Sequence, residues 1–115
     1  DMLKGLGALG DMAKMMKSAQ EMQGKLAALQ EELGRKIVVG EAGGGLVKAR
    51  VTAKGGVAGL DIDPSLLDPA QKEVVEDLIV AAISEAQVRG NAHAQSEMAR
   101  IAEDLGLPPG MGMPG

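Results

Sequence analysis

A chain of 115 residues with no cysteine and no Phe, Tyr or Trp is the size of one domain with a modest core. It has no thiols for disulfides or metal sites, and no ring to stack on an unpaired base or cage a cation. A net charge of −4 excludes a simple basic coat for DNA, yet residues 1–54 carry nine Lys/Arg against six Asp/Glu, +3, while residues 55–115 carry three against ten, −7. Eight methionines and many alanines are left to fill the core. No apolar run approaches the roughly 18 residues of a membrane span, and no signal-peptide pattern is visible. A cytoplasmic protein without a membrane contact is the expectation.

Residues 1–10 are rich in glycine and read as a flexible start. From Asp11, Met12, Met15, Ala19, Met22, Leu26, Leu29 and Leu33 alternate steps of three and four. That is a heptad seam over about three repeats, serving either a helix laid on a sheet or a helix that also pairs with a second chain. Asp11 suits the N-cap of this helix and Gly34 the left-handed residue after its end.

The period then falls to two. In Val47–Lys54, Val47, Ala49, Val51 and Ala53 face one way, while Lys48, Arg50, Thr52 and Lys54 face the other. Flanking strands are expected at 35–40 and 57–63. Ala42–Gly45 and Gly55-Gly56 form the turns of a three-stranded antiparallel meander.

A long helix is expected over 69–105, with Asp68 as N-cap, Pro69 at its first position and Gln71 completing a capping box. Val74, Val75, Leu78, Ile79, Ala82 and Ile83 give it an apolar face, and Gly106 ends it. At 1.5 Å per residue it would be about 55 Å long, against a radius of gyration of about 13–14 Å for a globule of this size. It must project, bend at Gly90 or pack on a second chain. The small-residue stripe Ala82, Ala86, Gly90, Ala94 would allow close helix approach. A monomer would leave Ile83, Met98, Ile101 and Leu105 poorly covered, so a homodimer is the economical arrangement. Residues 1–107 are read as one domain, and 108–115 as a disordered Pro/Gly/Met tail.

The α-β-β-β-α order and its residues resemble the YbaB/EbfC family of nucleoid-associated proteins. The matching segments are Met12–Gln23, Gly43-Gly44-Gly45-Leu46-Val47-Lys48, Asp63-Pro64-Ser65-Leu66-Leu67, Glu76-Asp77-Leu78 and Leu107-Pro108-Pro109-Gly110. The resemblance implies an α+β fold and a tweezer-like homodimer with helices projecting from a shared β core. It also implies binding to double-stranded DNA, a change in DNA shape, and a part in nucleoid organisation and gene regulation. The long helix departs from that picture by carrying only Lys72, Arg89 and Arg100 as cations.

Two surfaces could meet phosphates. One is the strand face of Lys48, Arg50 and Lys54 with Arg35 and Lys36; segment 35–60 has these five cations and Glu41 as its sole anion. Lysine on an exposed strand also keeps a sheet soluble and blocks edge pairing. The other is the helices, with Lys14, Lys17 and Lys25 on the first and Arg89 and Arg100 on the second. The three lysines lie off the apolar seam, where charge is equally the mark of a solvated face. Contacts of either kind touch phosphates, so sequence specificity should be weak.

The remaining candidates carry less. Gly43-Gly44-Gly45 leads into a strand, so it is a hairpin turn and no phosphate-cradling loop. Asp61 and Asp63 share a strand face and could mimic the carboxylate pair of a small hydrolase, but Asp63-Pro64 reads as turn chemistry. His93 with Glu97 offers two metal ligands where three or four are needed, so His93 is expected to face solvent. No catalytic, metal or cofactor site is expected. The rival to DNA binding is an adaptor whose apolar helices hold a replication, repair or transcription partner.

Overall fold

The computed structural model describes residues 2–106, with side chains from Gly5 onward; Leu107 and the expected tail at 108–115 lie outside the described residues. The chain runs α1 (Met2–Arg35), β1 (Ile37–Ala42), β2 (Val47–Thr52), β3 (Val57–Ile62), 3-10 turns at Pro64–Leu66 and Pro69–Gln71, then α2 (Lys72–Asp104). The strands form one antiparallel sheet in the order β1-β2-β3. This is the expected α+β, α-β-β-β-α architecture. Its residues divide into a sheet–helix unit, Glu31–Ser96, and a helical unit made of the segments up to Gln30 and from Glu97.

In the sheet–helix unit, β2 behaves as its alternation requires. Val47, Ala49, Val51 and Ala53 are buried, the first three completely, while Lys48 and Lys54 are exposed. The inward residues meet Leu66, Ala82 and Ala86, with Val38, Ile62, Val75, Leu78, Ile79 and Ile83 packed around them. The helix lies very close to the sheet. A Cβ on Gly40 of β1 would fall 2.1 Å from the Ala82 carbonyl oxygen and 2.5 Å from the Ala86 nitrogen. A Cβ on Gly90 would fall 3.0 Å from the Ala53 Cα. Ala82, Ala86 and Gly90 therefore serve contact with the chain's own sheet, which corrects their expected use in helix–helix approach. Gly90 is buried, and α2 continues through it without a break.

The junctions differ from expectation for local reasons. The first helix begins at Met2, so Asp11 sits inside it and caps nothing. Leu6 and Leu9 extend the apolar spacing upstream of Met12, and the intervening glycines, at about 1 kcal/mol each, do not interrupt it. At the other end Gly34 is helical, with no positive φ; the Lys36 N–H still donates to the Glu32 carbonyl at 2.8 Å. The helix thus runs almost directly into β1, which shifts that strand to 37–42. Asp68 caps the 3-10 turn rather than α2, accepting from the Ala70 N–H at 2.9 Å, so the long helix starts at Lys72 instead of Pro69. Gly106 adopts φ 72°, the left-handed conformation expected of it.

In the helical unit the seam is only partly covered. Leu29 is buried and Met22 and Leu26 are half-buried, but Met12 and Met15 are exposed, Met15 at 71%. On α2, Ile101 and Ala102 are buried and Met98 and Leu105 half-buried. Of the four residues expected to be poorly covered in a single chain, Ile101 is buried and Ile83, Met98 and Leu105 are half-buried. Leu105 shares an apolar cleft with Met15, Ala19 and Met22 of α1.

Candidate nucleic-acid interface

The outer face of the sheet carries the strand cations. Antiparallel register puts Glu41, Lys48 and Asp61 in one row across the three strands. Lys48 Nζ lies 3.7 Å from Glu41 Oε1, and the Arg50 guanidinium donates to the Asp61 carboxylate. Gly59 makes room for that arginine, since a Cβ there would fall 2.2 Å from Arg50 Nη2. Two cations therefore face two anions, and the surplus counted along segment 35–60 shrinks once β3 folds alongside. Such exposed pairs contribute about 0–1 kcal/mol each, so a phosphate can displace the carboxylate at little cost.

Arg35, Lys36 and Lys54 gather at one end of the same unit. The Ala53 N–H donates to the Lys36 carbonyl at 2.8 Å, and the Lys54 stem passes beside Gly34. None of the three has an ion-pair partner among the described residues, although Glu31 and Glu32 stand one turn earlier on α1. Lys14, Lys17 and Lys25 are likewise exposed and unpaired on α1.

The cations of α2 are engaged. Arg89 pairs with Glu85 at 2.8 Å and donates to the Val39 carbonyl of edge strand β1 at 3.2 Å. Arg100 pairs with Glu97, and Lys72 with Glu76 at 3.4 Å. Helical spacing of three or four residues brings each acid into reach.

The other candidate groups resolve into structural roles. Gly43, Gly44 and Gly45 have φ of 64°, 67° and 93°, forming the β1–β2 hairpin turn where side chains would be strained. Asp61 is taken by Arg50, while Asp63 is held below the usual 3.8 by the Ser65 side chain first and then by the Ser65 N–H, which donates to it at 2.9 Å. His93 is half-buried, with Nε2 shielded and without a hydrogen-bond partner among the described residues, so the expected solvent-facing ring is corrected: its helix turn lies partly under cover. No group of three metal-ligating side chains occurs among the described residues. Among those residues no helix is long and apolar enough to cross a membrane.

A three-stranded sheet backed by a long helix thus presents exposed cations on its surface. The model of the YbaB/EbfC DNA-binding family matches residues 9–105. A nucleoid-associated protein of Bradyrhizobium sp. strain BTAi1 is 49% identical over 104 residues, covering 90% of this chain and 98% of its own. One from Rhodopseudomonas palustris strain HaA2 is 47% identical over 105 residues, covering 91% and 99%. An uncharacterized protein from Helicobacter pylori has a similar fold, with a TM-score of 0.56 and 23% identity over 68% of this chain and 90% of that one. The chain belongs to the YbaB/EbfC DNA-binding family.

Proposed function

We propose that this protein binds double-stranded DNA through its phosphates, as a homodimer, with low sequence specificity, and alters the shape of the duplex. It acts in the nucleoid without catalysing a reaction, and residues 1–107 work as one DNA-binding domain. The observation that carries the reading is the set of exposed cations Lys14, Lys17, Lys25, Arg35, Lys36 and Lys54, unpaired among the described residues, on a chain of a DNA-binding family. Lys48, Arg50, Arg89 and Arg100 join by exchanging a carboxylate for a phosphate, at the small cost of an exposed pair. Flexible lysines on phosphates carry no base information, and no aromatic side chain is present to stack on a flipped or single-stranded base.

Self-association is supported by uncovered apolar surface. Leu6, Leu9, Met12, Met15 and Met16 are exposed on α1, and Val57 and Leu60 on β3. A second copy covering such a stripe removes it from water. The same stripe also favours the second reading, an adaptor that holds a protein partner in replication, repair or transcription. Through self-association, two copies double the cations facing one duplex and allow it to be bent or straddled.

Duplex affinity measured for three charge-reversal pairs tests the reading. Arg35→Glu/Lys36→Glu should weaken binding most, and should flatten the salt slope by about one per cation removed. Lys48→Glu/Arg50→Glu and Arg89→Glu/Arg100→Glu should weaken it less, because those cations start with a carboxylate beside them. Wild-type protein that fails to bind duplex at low salt overturns DNA binding in favour of the adaptor. Light scattering that gives a monomer mass overturns the homodimer.

A further inference from the structure

We propose that the cleft between the β2–β3 turn and α2 grips the phosphodiester backbone of duplex DNA. The inference rests on the duplex-binding reading and assigns it a specific seat. The cleft has a volume of about 560 Å³ and is lined by Ala53, Lys54, Gly55, Ser84, Gln87, Val88 and Asn91. Three of its polar groups come from one face of α2, at spacings of three and four residues, so Ser84, Gln87 and Asn91 stand in a row. That row spans about 10 Å along the helix. Lys54 stands opposite, at the turn.

Lys54, like Lys14, Lys17, Lys25, Arg35 and Lys36, has no carboxylate partner among the described residues, and here it faces the neutral polar groups of α2. No Asp or Glu lines the cleft, in a chain whose net charge is −4. An anion here meets one cation and neutral donors without a competing acid. The donors are also held in place. Gln87 Nε2 donates to the Gly55 carbonyl at 3.1 Å, which fixes the amide and leaves its second N–H free. Gly55 supports that contact from φ 101°, a conformation that favours glycine.

The lining also selects the occupant. Small-molecule pockets are mostly apolar, and interface cores between proteins are depleted in lysine. Here Lys, Ser, Gln and Asn dominate, and Val88 and Ala53 supply the principal apolar side chains. Hydroxyl, amide and ammonium donors are the groups that contact phosphate oxygens and sugars. Arg35 and Lys36 continue the positive surface beyond Lys54, because Lys36 is hydrogen-bonded to Ala53.

The test uses the full chain, a short duplex of arbitrary sequence and equal ionic strength throughout. Lys54→Gln should weaken binding about tenfold and flatten the salt slope by about one. Asn91→Asp, nearly isosteric, should weaken it by a similar factor, and Asn91→Lys should tighten it about fivefold. Glu73→Gln raises the net charge as much as Asn91→Lys, roughly 27 Å away along the helix, and should change affinity less than twofold. Unchanged thermal unfolding and unchanged mass by light scattering keep these results from reporting on folding or assembly. If wild type binds and the Lys54 and Asn91 variants bind equally well, the cleft assignment fails while the duplex reading stands. If Asn91→Lys and Glu73→Gln tighten binding alike, only net charge matters and the cleft is likewise excluded. A fall in mass for the Asn91 variants makes the cleft a self-association surface and overturns the proposal. Wild type that does not bind the duplex ends the underlying reading as well.

Discussion

The sheet–helix unit and the helical unit solve the same packing problem with different completeness. In the first, glycine and alanine let a helix backbone rest on a strand backbone, and Val47 and Val51 are sealed without solvent contact. In the second, the apolar seam is covered at Leu29 and Ile101 but open from Leu6 to Met16. Close approach of that kind tolerates no added atom. An open stripe tolerates almost any change within the single chain. The glycines report the contrast directly: Gly40 has backbone atoms where a Cβ would go, and Gly24 has nothing within 4 Å.

The largest effect is expected from filling Gly40. Gly40→Val should destabilise by about 3 kcal/mol or more, or prevent folding, because helix backbone and not a pliable side chain stands in the way. Chemical denaturation that finds it within about 0.5 kcal/mol of wild type would show that β1 does not rest on α2. The same kind of substitution should have the opposite sign in the helical unit. Gly24→Ala, on an exposed helix with open space around it, should stabilise by about 0.5–1 kcal/mol.

A smaller effect concerns pH. Asp63 holds the 3-10 turn after β3 by accepting from the Ser65 N–H, and the Ser65 side chain, followed by that N–H, lowers its carboxyl below 3.8. Its contribution is present above the ordinary carboxylate value and is lost as pH falls through the lower folded value. Thermal unfolding of wild type against Asp63→Asn should therefore show a modest gap near neutrality that closes in acid. A gap that is constant with pH would contradict this.

Much of the sheet–helix unit was legible because period and turn chemistry are local. The alternation of Val47, Ala49, Val51 and Ala53 identified the buried face, and the glycine runs located both hairpin turns. What escaped reading depends on partners distant in the chain. Gly40 looked like any strand glycine until Ala82 and Ala86 were set against it, and Gly90 looked like a weak point in a helix until Ala53 was. The start of α1 was misread because glycine frequency outweighed the continued spacing of Leu6, Leu9 and Met12. For the candidate site, the cations were visible but their neutralisation was not. Asp61 opposes Arg50 only through β2–β3 pairing, and Arg89 meets Val39 fifty residues away. The cleft beside Lys54 is assembled from a turn and a helix that no local pattern links.

Affinity for two unrelated duplex sequences across about 50–200 mM salt shows whether the protein binds duplex DNA through phosphates. Equal affinities are expected, falling linearly on a log–log plot by about 0.9 in slope for each phosphate neutralised. Affinity that ignores salt, differs by orders of magnitude between the two sequences, or is absent at the lowest salt would contradict it.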